Sequence, residues 1–255
     1  MELILVVLFG LIMGSFLNVV IYRMPRKISI VTPRSYCINC NKKINFYDNI
    51  PILSFLLLRG RCRNCREKIS WRYPLVELIT ALLLTAFYIK YGLTEEWVLS
   101  AVLIIFLVPM SVIDIEKGII PNKLIIPCLI IGIILVLLLR FETVLSSLLG
   151  AIVGGIFFLI LALLGKFLFK KDSIGAGDGK LFITIGFYLG LVGFFLTFFF
   201  IGILSGVFVI IGLITKKIKF GETIPFGPFI ALSTLIVKFY FGELITSNAI
   251  LLSLI

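Results

Sequence analysis

The sequence predicts an all-α polytopic membrane protein of about eight transmembrane helices with a small cytoplasmic insert. Three observations predict this fold class. Hydrophobic residues make up 60% of the 255-residue chain and charged residues only 15%. The mean hydropathy of +1.19 exceeds what one soluble core can bury. Long stretches without charge alternate with short basic segments, as expected of successive membrane spans.

Eight stretches are uncharged or nearly so and long enough to be spans. The first lies at 3–22 between Glu2 and Arg23, and the others lie at about 73–91, 97–115, 120–139, 143–165, 179–191, 194–215 and 225–241. The uncharged run 181–215 is too long for one span and short for two. We expect it to break at the turn signal formed by Gly190 and Gly193. Residues 244–255 are apolar and are predicted either to lie in the membrane interface or to begin another span.

The basic residues are distributed asymmetrically. The net charge is +11, and half of the 24 Lys and Arg lie in the polar insert 23–72. If spans alternate from an external N-terminus, only Lys90, Arg140 and Lys238 fall outside. This asymmetry predicts a multi-pass protein of the inner or cytoplasmic membrane and explains the charge without a nucleic-acid partner. The predicted domains are a first helix at 1–22, the insert at 23–72 and a membrane domain at 73–255.

Four of the five cysteines form two C-x-x-C pairs in the insert, Cys37-Ile-Asn-Cys40 and Cys62-Arg-Asn-Cys65. Four thiolates at such spacing are typical of a structural zinc site. Two disulfides and a redox pair are alternatives, but the reducing cytoplasm favours zinc. We therefore expect the insert to bind zinc and to depend on it for folding. Cys128 lies alone in a span and is interpreted as a packing residue.

Two aspartates lie at span ends that face the cytoplasm. Asp114 ends the third span and Asp178 begins the sixth, and the chain has no histidine. Two spans separate the aspartates, so alternation places both on the same side. A pair of carboxylates can hydrolyse a peptide bond by activating water and protonating the carbonyl oxygen. The alternative is that Asp178 caps a helix and Asp114 is a surface charge.

The surroundings of Asp178 suggest roles for its neighbours. Gly175 and Gly177 leave space for a substrate, and Lys180 is close enough in sequence to influence the aspartate's charge. Because Asp178 lies at a helix N-terminus and Asp114 at a C-terminus, we expect Asp178 to act as the base. The alternative interpretation of Lys180 is a membrane-interface anchor, and the same interpretation applies to Arg23 and Glu77.

The ordered motifs resemble those of the prepilin peptidases, which cleave and N-methylate type IV pilin-like precursors and belong to the GxGD intramembrane aspartyl proteases. The resemblance extends over almost the whole chain. Besides both cysteine pairs, it rests on Gly14-Ser-Phe-Leu-Asn18, Asn49-Ile-Pro51, Tyr73-Pro74-Leu-Val-Glu77, Asp114 with Ile120-Pro121-Asn122, Gly175-Ala-Gly177-Asp178-Gly-Lys180 and Ile224-Pro-Phe-Gly-Pro228. The chain departs from the family pattern at Ile38-Asn39 and Phe55, which removes neither a ligand nor a carboxylate.

The resemblance implies a function for the candidate residues. Asp114 and Asp178 match the family's catalytic aspartates, and the insert matches the part associated with zinc and with methyl transfer from S-adenosylmethionine. We assign Gly60 and Arg61 to the methyl-transfer region, with a cytoplasmic turn as the alternative. The expected substrates are prepilin or pseudopilin precursors, cut on the cytoplasmic face and then methylated. A transporter or channel with aspartate ligands is the rival function, and a methyltransferase without proteolysis is a further alternative.

Overall fold

The computed structural model describes residues 1–140, 143–169, 175–219 and 223–253. This part of the chain is built from helices and contains only two isolated bridges, with no longer strand. The helices are α1 (Glu2–Arg23), α2 (Leu53–Leu57), α3 (Arg72–Tyr91), α4 (Glu95–Lys117), α5 (Asn122–Leu139), α6 (Val144–Phe169), α7 (Ala176–Ile214) and α8 (Gly227–Ser253), with a short 3₁₀ helix at Phe46–Asn49. The predicted all-α class is confirmed.

Among the described residues, 7 helices are long and apolar enough to cross a membrane. One of them, α7, has 39 residues, which at about 1.5 Å per residue is nearly twice the ~30 Å hydrocarbon thickness. Its helical path is interrupted at Gly190, where φ is 65° and ψ is −172°. Glycine is the residue that adopts this conformation without strain. The predicted break is confirmed, and α7 counts as one of the 7 candidate membrane helices where the sequence predicts two spans.

The C-terminal helix is longer than the sequence predicts. We placed the last span at 225–241 and left 244–255 open, whereas α8 runs without interruption from Gly227 to Ser253. Residues 244–253 therefore continue the same helix and do not begin a separate span. Residues 254 and 255 of the open segment lie outside the described residues.

The chain forms two compact units, Met1–Pro109 and Met110–Ile255. Their boundary lies inside α4 at Pro109, a residue that lacks the N–H needed for a helical hydrogen bond. The first unit contains the whole insert together with α1 and α3. The composition-based domains at 1–22, 23–72 and 73–255 are a different division and stay a prediction.

In the first unit, α1 and α3 approach so closely that glycine is required at the contact. A Cβ on Gly10 or Gly14 would lie 2.6 Å from the Cα of Ala81 or Glu77, respectively. One turn further along α1, Asn18 Nδ2 donates a hydrogen bond to the carbonyl oxygen of Tyr73 at 3.0 Å. Small residues and one interhelical amide thus join the two helices, as in other membrane helix pairs.

In the second unit, the closest contact joins α6 to α7 through glycines. A Cβ on Gly150 would overlap the carbonyl oxygen of Gly186, and a Cβ on Gly154 would lie 2.6 Å from the carbonyl oxygen of Phe182. Gly155, the next residue, is different, because a Cβ there would meet only the Ile183 side chain at an ordinary 3.4 Å. Backbone contact at Gly150 therefore sets the spacing of α6 and α7.

We expect Gly150→Ala to destabilise the protein by about 1–3 kcal/mol, because the new methyl group overlaps backbone that cannot move independently of α7. Gly155→Ala is the matched control and should change stability by less than about 1 kcal/mol, with any change favourable to the helix. Thermal unfolding of both variants in detergent measures the difference. Equal melting temperatures for the two variants would show that α6 and α7 are not in backbone contact.

Candidate active site and metal centre

Asp114 lies near the C-terminal end of α4 and is buried, with only 6% of its surface exposed. Its Oδ2 accepts a hydrogen bond of 2.8 Å from the backbone N–H of Gly227, the first residue of α8. A Cβ on Gly227 would lie 2.9 Å from the same oxygen. The contact between the carboxylate and the start of α8 therefore depends on the absence of a side chain at Gly227.

Asp178 lies in the first turn of α7 and is half-buried. Its backbone N–H donates to the carbonyl oxygen of Gly175 at 3.0 Å. A Cβ on Gly175 would lie 3.2 Å from Asp178 Oδ2, and a Cβ on Gly177 would lie 3.1 Å from Ile120 Cβ. Gly177 thus lets the start of α7 lie against the turn that follows α4, and Gly175 leaves room for the Asp178 carboxylate.

The two carboxylates lie close enough to interact electrostatically. The loop between α4 and α5 lies against the start of α7 at a second point, where Lys180 Nζ donates to Asn122 Oδ1 at 2.9 Å. The hydrogen bond directs Lys180 toward the α4–α5 connection. The structure therefore brings Asp114, Asp178 and Lys180 to one end of the second unit, while their catalytic roles stay predictions.

The contact with Gly227 is a feature that sequence reasoning missed. The sequence includes Gly227 in the motif Ile224-Pro-Phe-Gly-Pro228, but nothing in the motif indicates that the glycine N–H donates a hydrogen bond to Asp114. It also affects the predicted division of roles. Asp114 contacts the N-terminus of α8, just as Asp178 lies at the N-terminus of α7, and helix N-termini stabilise negative charge. The dipole argument that made Asp178 the base therefore applies to both aspartates.

The four cysteines of the insert converge as the spacing predicts. Their sulfur atoms all lie within 4.8 Å of one another. Cys37 Sγ and Cys65 Sγ are 3.8 Å apart, and tetrahedral zinc with Zn–S bonds of about 2.3 Å places neighbouring sulfurs about 3.8 Å apart. All five cysteines of the chain are free thiols, so the disulfide alternative is not what the structure contains. The donor set and its dimensions fit zinc.

Both cysteine pairs have the same backbone structure. In the first pair, the N–H of Cys37 donates to the Lys42 carbonyl and the N–H of Asn41 to the Cys37 carbonyl. The second pair repeats this pattern, with Cys62 N–H donating to Glu67 and Arg66 N–H to Cys62. Asn41 and Arg66 both have positive φ, 55° and 61°. Each pair is therefore a knuckle, closed by its own backbone hydrogen bonds.

The thiols compete for protons when no cation is bound. The backbone N–H groups of Cys65 and Asn64 lower the pKa of the Cys62 thiol to about 7. The N–H of Glu67 also donates to Cys65, but burial and the three neighbouring thiols outweigh it and raise the pKa of Cys65 to about 11. Four neighbouring thiolates repel one another, and a divalent cation removes that conflict.

Two candidates lie beside the second knuckle, and two are buried residues of α1 and α3. Gly60 lies in the turn before the second knuckle with φ of 65°, and Arg61 pairs with Lys68 in an isolated bridge. Their assignment to methyl transfer stays a prediction. Arg23 and Glu77 are 4% and 7% exposed, so they do not extend into solvent as the interface-anchor interpretation requires.

Comparison with known proteins identifies the family. Residues 8–91 match the bacterial peptidase A24 N-terminal domain, and residues 101–211 match the type IV leader peptidase family. Three curated relatives, each named prepilin leader peptidase/N-methyltransferase, match nearly the whole chain. The one from Vibrio cholerae is 39% identical, over 94% of this chain and 98% of the relative. The one from Aeromonas hydrophila is 37% identical, over 95% of this chain and 91% of the relative. The one from Bacillus subtilis is 34% identical, over 94% of each.

The chain belongs to the type IV leader peptidase family. The resemblance to prepilin peptidases found in the sequence is thereby confirmed. A relative of the same name from Myxococcus xanthus is 44% identical over 71% of this chain, and the match spans 54% of that longer protein. No solved structure matches the chain. Within this type IV leader peptidase, the N-terminal family model covers both knuckles, and the C-terminal model covers both aspartates.

We expect this type IV leader peptidase to purify with about one zinc ion per chain, because four sulfurs at tetrahedral spacing form one closed site. Cys37→Ser or Cys62→Ser should remove most of the metal. Cys128→Ser is the matched control and should retain it, since Cys128 is fully buried in α5 outside the cluster. Elemental analysis by mass spectrometry measures the zinc content. Full zinc in the Cys62→Ser protein would contradict the assignment.

Proposed function

We propose that this protein removes the leader peptide from type IV prepilin or pseudopilin precursors and then N-methylates the new N-terminus. The observation that carries the proposal is that Asp114 and Asp178 lie close enough for their charges to influence each other, in a chain whose family model describes type IV leader peptidases. The curated relatives that match over nearly the whole chain have names that combine both activities.

The aspartate pair supplies the chemistry of hydrolysis. One carboxylate takes a proton from water as the oxygen attacks the scissile carbonyl carbon, and the other carboxyl group donates a proton to the carbonyl oxygen. Collapse of the tetrahedral intermediate breaks the C–N bond, and a proton passes to the leaving amine.

The position of the pair suits a substrate that enters from the cytoplasm. The helices fit a multi-pass membrane protein, and the distribution of basic residues favours an inside location for the Asp114 and Asp178 ends of their spans. We therefore propose the inner or cytoplasmic membrane with a cytoplasmic active site. Substrates of the family it resembles have a basic leader, glycine at the cut and then a hydrophobic helix, so the scissile bond lies at the membrane surface.

Two groups bound from outside the chain complete the proposal. Cys37, Cys40, Cys62 and Cys65 would hold zinc as a structural ion that joins the two knuckles. S-adenosylmethionine would donate the methyl group: the amine of the cut substrate forms the new N–C bond, the S–C bond breaks with its electrons on sulfur, and the amine proton goes to solvent.

We expect Asp114→Asn and Asp178→Asn each to lower the rate of leader cleavage about 100-fold or more, because neither amide can exchange the proton that hydrolysis requires. Glu116→Gln is the matched control, since it removes an exposed carboxylate from the same end of α4. The assay is mass spectrometry of a prepilin after incubation with purified protein. An intact prepilin with the unchanged protein, together with aspartate-dependent ion flux, would support transport instead.

We expect Gly227→Ala to lower cleavage by about tenfold to 100-fold, because its methyl group would displace the Asp114 carboxylate from its position beside the backbone N–H. Gly202→Ala in α7 is the matched control, since a Cβ there meets nothing within 4 Å. Initial cleavage rates of both variants, with melting temperatures to verify folding, make the comparison. Equal rates for Gly227→Ala and Gly202→Ala would show that this contact does not position Asp114.

A further inference from the structure

A cavity of about 340 Å³ lies in the first unit, below the cysteine knuckles and beside α1 and α3. This volume is typical of small-molecule sites. Cys37 and Cys62 line it at one end, and Asn18 and Glu77 line it at the membrane-helix end. The sequence analysis did not predict this cavity, because its walls come from segments far apart in the chain.

Glu77 is a buried carboxylate whose charge is not compensated within the part of the chain that the structure describes. Its Oε2 accepts a hydrogen bond of 2.7 Å from the backbone N–H of Ile52. This donor is neutral. A buried carboxylate without a cationic partner is costly, so this position favours a positively charged ligand.

Asn18 provides a second, independent indication of a ligand. Its side chain is 2% exposed, and its Nδ2 donates to the carbonyl oxygens of Gly14 and Tyr73. Its Oδ1 is buried and has no hydrogen-bond partner among the residues that the structure describes. Buried polar atoms are almost always hydrogen-bonded, so a ligand N–H group would satisfy this acceptor.

The rest of the cavity has a different character. Tyr36 and Tyr73 contribute aromatic surface, and charged residues of both signs, among them Lys68 and Glu67, line the end near the knuckles. The cavity therefore offers a carboxylate with a free acceptor at one end, and aromatic walls. A molecule that carries an ammonium group and a planar ring would complement both features.

We propose that this cavity binds S-adenosylmethionine, with the positively charged methionyl group at Glu77 and Asn18 and the adenine against the tyrosines. The inference rests on the methylation half of the proposed function and gives it a location. The cut substrate also carries an ammonium group, but that group is continuous with a transmembrane helix, whereas the cavity has the volume of one small molecule. Glu77 and Asn18 thus become donor-binding residues, although neither belongs to the insert.

The test is the affinity of the zinc-loaded, full-length protein for S-adenosylmethionine, measured by calorimetry in detergent. Glu77→Gln keeps an oxygen that can accept the Ile52 hydrogen bond and removes only the charge. We expect it to bind the donor about tenfold more weakly and still to remove the leader from a prepilin. Glu95→Gln is the matched control, because Glu95 is an exposed carboxylate outside the cavity, and it should bind as the unchanged protein does.

Each other result overturns the inference. Unchanged donor affinity in Glu77→Gln would show that Glu77 is a neutral structural group. Loss of affinity for an amine-terminated pilin peptide, with unchanged donor affinity, would assign the carboxylate to the substrate. Leader removal by a protein that does not bind S-adenosylmethionine would overturn this inference and leave cleavage intact, whereas an intact prepilin would contradict the proposed cleavage itself.

A second measurement does not depend on any variant. Ultraviolet crosslinking of radiolabelled S-adenosylmethionine to the unchanged protein should label peptides that contain Tyr36 or Tyr73. Label confined to peptides of the second unit would overturn the inference.

Discussion

A carboxylate within a bundle of apolar helices must obtain its hydrogen bonds from the protein, and Asp114 obtains one from the first N–H group of α8. This single contact connects the C-terminal end of α4 to the start of α8. It requires glycine at position 227, because even one methyl group would collide with the carboxylate.

Close backbone approaches fix the other half of the site. Gly177 lets the first turn of α7 lie against Ile120, and Gly150 and Gly186 hold α6 against α7 without intervening side chains. Each contact leaves little freedom for a helix to shift. Such contacts position the two carboxylates through the rigidity of the backbone.

The sequence predicts those features that depend on local pattern. Span positions follow from runs of apolar residues, the break in α7 follows from Gly190, and the metal cluster follows from two short cysteine motifs. Contacts between distant segments leave no such pattern. The Asp114–Gly227 hydrogen bond joins residues 113 positions apart, and Glu77 satisfies an N–H group 25 positions away. For the Asp114–Gly227 contact, the only local sign was a glycine between two prolines. For the Ile52–Glu77 contact, it was a charged residue within an apolar helix.

The duplicated knuckle has a consequence for how the insert responds to its surroundings. Since each half is closed by its own main-chain hydrogen bonds, a metal ion bound by the four cysteines would cross-link two ordered pieces and would not be the nucleus of either. Chelation would therefore separate the halves while each kept its local shape. The segment between the two knuckles would gain most of the chain entropy when the metal is removed. A protease added to the metal-free protein would therefore cut this segment first.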